Sequence, residues 1–172
     1  MLQVRLSAAE VEKGAGNLKR NVLLRIAVLA MLALLMLMTG CGPDADEALA
    51  DEIIWTNNNI AAVQNGPESD TVIVLEQDSV VTAIMDYHYF NEGAKPGTIG
   101  LIGEDGKEYG PWQAKGRKGQ GGVENAYWDT FPNIQLKAGE YKVVDSDPET
   151  WSQNDESDNA GFTEVRGKAA GN

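Results

Sequence analysis

Thr98-Ile99-Gly100-Leu101-Ile102-Gly103-Glu104-Asp105-Gly106-Lys107-Glu108-Tyr109 decides the fold class of this chain. Glycine adopts positive φ without a steric penalty and aspartate tolerates it. Asp105-Gly106 between a β-rich run and Glu108-Tyr109 therefore turns one strand back on the next. The same grammar repeats outward in both directions, with short β-rich runs separated by clusters of Gly, Pro, Asn and Asp. Strands are expected at Ile53–Trp55, Ala61–Gln64, Thr71–Leu75, Val80–Tyr89, Gly97–Ile102, Tyr127–Phe131, Tyr141–Val144 and Phe162–Arg166, with turns at Asn65-Gly66-Pro67 and Ala138-Gly139-Glu140. No interval carries a 3.6-residue apolar stripe. The pattern predicts an all-β fold, an antiparallel β-sandwich of jelly-roll type. Within the longest run, Val81, Ala83, Met85, Tyr87 and Tyr89 form the more apolar alternate set and are expected to face the core.

Upstream, Lys19, Arg20 and Arg25 precede Ile26 to Met38, thirteen uninterrupted apolar residues ending at Thr39-Gly40-Cys41. That length suits the hydrophobic part of an export signal (about 7–15 residues) better than a spanning helix, which needs about 20. Met38-Thr39-Gly40-Cys41 resembles the lipobox of bacterial lipoproteins. The resemblance implies cleavage before Cys41 and attachment of acyl chains to it. It divides the chain into a signal peptide (1–40), a lipidated tether (41–52), the β-sandwich (53–167) and a C-terminal tail (168–172). Two or three acyl chains hold a protein on a bilayer durably, where one does not. Gly42 stands where an aspartate resembles an inner-membrane retention signal. A Gram-negative host would therefore place the protein on the outer membrane, and a Gram-positive one on the outer face of the cytoplasmic membrane.

The leading 40 residues hold five of the 14 basic and two of the 26 acidic residues, leaving a remainder with net charge −15. Phosphate backbones require clustered Lys and Arg, so nucleic acid is excluded as an expected partner. Cys41 is the only cysteine, and once lipidated it leaves no disulfide. The domain must stand on its core.

Gly110 to Asn125 breaks the strand rhythm and reads as a long Gly-rich loop. It carries Lys115, Arg117 and Lys118 beside Trp112, a grouping suited to an anion or sugar acid. It lacks the P-loop pattern, so no nucleotide site is expected. Trp112 and Trp151, both next to Gly-rich or polar stretches, are the favoured tryptophans for stacking on a sugar. Trp55, Trp128 and the tyrosines Tyr87, Tyr89, Tyr109, Tyr127 and Tyr141 are platform or core residues.

Several motifs occur together: Tyr87-His88, Pro96-Gly97-Thr98-Ile99-Gly100-Leu101, Tyr109-Gly110-Pro111-Trp112-Gln113-Ala114, Gly119-Gln120-Gly121-Gly122, Asn125-Ala126-Tyr127-Trp128, and Asp145-Ser146-Asp147-Pro148 with Thr150-Trp151-Ser152 and Asn154. In combination they resemble a family of small exported bacterial β-sandwich modules that occur alone or joined to other domains. The resemblance spans nearly all of Ile53 to Gly167 and implies fold and compartment rather than chemistry. Such sequences tend to place a tryptophan and an asparagine after the Tyr-His pair, where this chain has Tyr89-Phe90-Asn91.

Asp145, Asp147, Asn154 and Asp158 are hard oxygen ligands in a short stretch, which makes calcium the candidate cofactor, although the spacing is not that of an EF-hand. The alternative is that these side chains form turns and caps. His88, the only histidine, shares a strand face with Asp86. A hydrolase would need Ser146 or Ser152 brought to His88 together with an oxyanion hole, and no G-x-S-x-G elbow is present. One histidine does not make a multi-histidine zinc site. The expectation is a non-catalytic envelope lipoprotein that binds a glycan or other polar envelope ligand. Its rivals are a structural or protein-partner lipoprotein and, behind it, a hydrolase using His88.

Overall fold

The computed structural model describes residues 45–171, so Cys41 and the expected signal segment lie outside the described residues. The elements in order are α1 (Ala45–Ala48), β1 (Glu52–Thr56), β2 (Gln64–Asn65), β3 (Val72–Leu75), β4 (Ser79–Tyr87), β5 (Thr98–Gly103), β6 (Glu108–Gln113), β7 (Lys115–Arg117), β8 (Tyr127–Thr130), β9 (Ile134–Leu136), β10 (Gly139–Asp145), β11 (Ser152–Gln153) and β12 (Thr163–Ala169). Short 3₁₀ turns lie at Gln120–Gly122 and Asp155–Ser157. One sheet runs β1-β12-β4-β8-β7, with β9 also on β4, and a second runs β3-β10-β5-β6. β11 and β2 form a small third pair. Every pairing between these strands is antiparallel. Among the described residues no helix is long and apolar enough to cross a membrane.

The expected hairpin joins β5 to β6. Gly106 sits at φ 76°. Its N–H donates to Gly103 O at 2.8 Å, and the Lys107 N–H donates to the Asp105 carboxylate at 2.9 Å. The two larger sheets pack face to face as the predicted sandwich. Ile73, Leu75, Ile99, Leu101, Tyr141 and Val143 from one sheet meet Val81, Ile84, Trp128, Leu136 and Val165 from the other. Full burial of a large apolar side chain contributes about 1.5–3 kcal/mol, so this layer is the main source of stability.

The face assignment of β4 needs correction. Arg166 pairs with Ala83 and Gly167 with Val81, so Thr82 is an extra residue, a β-bulge. A bulge shifts the alternation of everything beyond it. Val81 faces the core before it; Ile84 belongs to the same core after it, and His88 stacks there on the core residue Trp128. Tyr87 and Tyr89, expected inside, are only partly buried and line the outer face of the sheet.

Gly110–Asn125 is not one loop. Its first part is strand, completing β6 and forming β7. Pro111 cannot donate to a ladder, which is tolerated because β6 is an edge strand. β7 contains no apolar residue, so periodicity has nothing to detect. Ala61–Val63 of the expected second strand is irregular, and only Gln64 and Asn65 pair. The expected tether is partly folded onto the domain. α1 buries Ala48, and Arg166 Nη1 donates to the carbonyls of Leu49 and Asp51 at 2.9 and 3.0 Å. The expected tail begins late, since Lys168 and Ala169 still pair with β4.

Candidate functional site

The basic trio of the Gly-rich segment does not converge. Arg117 Nε and Nη2 donate to the two oxygens of the buried Asp129 at 2.9 and 3.1 Å, which raises the guanidinium pKa, and its face lies 4.3 Å from the Tyr127 ring centroid. Lys118 pairs with Glu124 at 2.6 Å, and Lys115 lies 5.5 Å from the Phe131 ring. Each cation thus has its own counter-group. The favoured tryptophans are not platforms either. Trp151 is buried, donating its ring N–H to Phe162 O at 2.9 Å, and Trp112 is half-buried in β6 against the core.

The four proposed calcium ligands are occupied in hydrogen bonds or set apart. Asp145 accepts from the Asp147 N–H at 2.7 Å and faces His88 Nε2 at 3.2 Å. Asp147 accepts from the Thr150 hydroxyl at 3.0 Å. Asn154 caps the 3₁₀ turn and exchanges side-chain hydrogen bonds with Asn59 at 3.0 and 2.8 Å. Asp158 closes that turn in the left-handed conformation and is exposed. Among the described residues no group of three or more His, Cys, Asp or Glu side chains gathers as a metal site.

His88 joins the two main sheets. It follows β4, its Nε2 meets Asp145 of β10, its Nδ1 lies 2.9 Å from the Thr150 hydroxyl, and its ring stacks on Trp128 at 3.7 Å. The Thr150 hydroxyl also lies 3.0 Å from the Asp147 carboxylate, so Asp145, His88, Thr150 and Asp147 form one hydrogen-bonded chain. Asp86 lies in the same buried cluster and accepts from the Thr163 hydroxyl at 2.5 Å. Burial first, and the Asp145 charge second, push its carboxyl well above the ordinary range, so it holds a proton that an exposed aspartate would lose. The order Thr150, His88, Asp145 echoes a nucleophile–base–acid chain. The His88 ring is fully buried, with no face open to solvent.

The open feature lies on the opposite face of the same sheet. Tyr127 of β8 is directly opposite Tyr87 of β4, and the Tyr87 N–H donates to Phe162 O at the start of β12. Tyr127, Tyr87 and Phe162, which directly precedes β12 and is itself buried, therefore lie in one row. Ring centroids are 5.0 Å apart for Tyr87 and Tyr127, 6.5 Å for Tyr87 and Phe162, and 6.0 Å for Tyr87 and Tyr89. With Asn58–Val63, Phe90 and Gln120 they enclose a cleft of about 500 Å3.

No protein-family model, curated protein or solved structure matches this chain.

Several polar groups of the cleft lack partners among the described residues. Tyr141 spends its hydroxyl on Lys137 O, whereas the hydroxyls of Tyr87, Tyr89 and Tyr127 make no hydrogen bond among the described residues. Asn58 Oδ1 is covered yet has no hydrogen-bond partner there. Burial, then the neighbouring Tyr127 and Tyr89, push the Tyr87 phenol up to about 12, so it stays neutral and able to donate. The segment that follows Phe90 is pinned by Asn91, whose side chain donates to Glu124 O and Asn125 O at 3.1 and 2.8 Å and accepts from the Gly93 N–H at 2.7 Å. Sequence reasoning had Tyr87, Tyr89 and Tyr127 among its aromatics and favoured the tryptophans instead. The i, i+2 spacing of Tyr87 and Tyr89 was the available signal, and it marks a shared face without saying which face is open.

Proposed function

We propose that this chain is a lipid-anchored envelope protein, held through Cys41, whose β-sandwich is a non-catalytic module that binds a glycan or similar polar envelope ligand in the Tyr87–Tyr127 cleft. The observation that carries the reading is the row of aromatic rings with three unpartnered phenols in a cleft of about 500 Å3, a size typical of ligand pockets. Aromatic faces suit the C–H faces of sugar rings, and phenols and amides meet hydroxyls. Calcium at Asp145 and Asp147 has no part in this cleft. The location follows from the lipobox resemblance: outer membrane in a Gram-negative host, outer face of the cytoplasmic membrane otherwise.

The second reading, a structural or protein-partner lipoprotein, is favoured by the burial of Trp128 and Trp151, which removes the strongest stacking residues from the surface. Co-sedimentation of the full chain with purified envelope polysaccharide, compared with Tyr127→Ala, separates the two. Retention lost in the variant supports the cleft. Equal retention of both, or none of either, favours the second reading. Cys41→Ser tests the anchor, with release of the protein from the membrane fraction expected.

A further inference from the structure

Building on the cleft reading above, we infer that the cleft selects an uncharged saccharide over acidic sugars. The lining consists of Asn, Gln, Ala, Val, Ile, Tyr and Phe, with no Asp, Glu, Lys or Arg among its residues. An anionic sugar would lose water at its carboxylate and find no cation to replace it, a cost that desolvated charges do not recover without a partner. The closest candidate, Arg117, stacks on Tyr127 but is already bidentate to Asp129. Lys118 is held by Glu124. Beyond the walls, a net charge of −15 for the chain after the leader repels anions at long range.

Tyr87 and Tyr127 pack side by side at 5.0 Å between centroids, backed by the buried Phe162 at 6.5 Å from Tyr87, and make a floor rather than a box. A floor of this kind suits the flat apolar face of one or more sugar rings. Gln120 and the phenols border it with acceptors and donors for neutral hydroxyls. The tyrosines are the only titratable side chains in the lining, and the Tyr87 phenol is displaced upward. Affinity for a neutral sugar is therefore flat between pH 5 and 9, where a lining group that titrates in that range would impose a slope.

The test is calorimetric titration of the full chain in phosphatidylethanolamine–phosphatidylglycerol vesicles, which contain neither choline nor sugar headgroups. The probes are cellotetraose, chitotetraose, tetragalacturonate and choline, each against wild type, Tyr127→Ala and Tyr127→Phe. A neutral tetrasaccharide is expected to bind at least 10-fold more tightly than tetragalacturonate at low salt. Tyr127→Ala is expected to weaken it 10-fold or more, and Tyr127→Phe, which keeps the ring, by less. Tetragalacturonate or choline binding more tightly than both neutral sugars, with loss in Tyr127→Ala, overturns the neutral-sugar inference while leaving the cleft as the site. Binding that Tyr127→Ala leaves intact, or no binding of any probe by a wild-type chain with a cooperative thermal transition, overturns the cleft reading as well.

Discussion

Replacing His88 by alanine measures how strongly the two main sheets are stapled together. The change removes the Nε2 contact to Asp145, the Nδ1 contact to Thr150 and the stack on Trp128, all at a ring with no solvent exposure. Asp145 keeps its hydrogen bond from the Asp147 N–H, but the oxygen that faced His88 is left buried and unpaired. Breaking a buried pair from one side costs about 3–5 kcal/mol, set against a domain stability of about 5–15 kcal/mol. At about 4 °C per kcal/mol for a domain of this size, the melting temperature falls by roughly 12–20 °C. Urea unfolding of the chain from Gly42 onward, followed by far-ultraviolet circular dichroism at pH 7, reads the loss. Asp145→Asn in the His88→Ala background removes the orphaned charge, so the pair couples and the double variant is less destabilised than the sum of the singles. A His88→Ala cost below about 1 kcal/mol, or strict additivity with Asp145→Asn, refutes the staple.

Asp86 gives the cluster a pH dependence of known sign. Its folded pKa is raised above 3.8, so above that pH the folded state binds more protons than the unfolded state and stability falls as pH rises toward the raised value. Asp86→Asn removes this contribution. Melting temperatures from pH 4 to 8 are expected to run flatter in the variant, and an unchanged slope contradicts a protonated Asp86. Gly161→Ala places a methyl 2.2 Å from the buried Trp151 ring, and overpacking of this kind costs about 1–3 kcal/mol in urea unfolding. A change within about 0.5 kcal/mol shows that Trp151 is not seated as described. Calcium up to several millimolar is expected to leave the melting temperature of the chelator-treated protein unchanged. A saturable rise lost in Asp147→Ala restores the metal site.

The β5–β6 hairpin was legible because its turn chemistry is local: Asp105-Gly106 specifies the reversal whatever surrounds it. The two faces of β4 were not, because the bulge at Thr82 depends on a strand about eighty positions away. Gly167 is the trace it leaves, since a Cβ there would lie 2.3 Å from Val80 O. Without that bulge, alternation sends Tyr87 inward and His88 outward, the reverse of the structure. β7 escaped notice because an exposed edge strand is held by backbone hydrogen bonds and needs no apolar residues. The acidic stretch was visible as chemistry, but whether Asp145 meets a metal or a histidine depends on the other sheet. The cleft was half legible: its aromatics stand in the sequence, while their convergence requires β8, β4 and β12 to lie side by side.

The grip of Arg166 on Leu49 and Asp51 sets the length of a leash. A fully extended chain spans at most about 3.6 Å per residue, so the four steps from Cys41 to Ala45 reach no farther than roughly 14 Å. On the anchoring proposed above, acyl chains on Cys41 would confine the sandwich to a thin shell against the bilayer. Within that shell its local concentration toward membrane-proximal material would be high, as for any tethered module on a short linker. Weak individual contacts would then suffice for capture, and Arg166→Ala, by freeing the turns before β1, would lengthen the radius over which the domain can search.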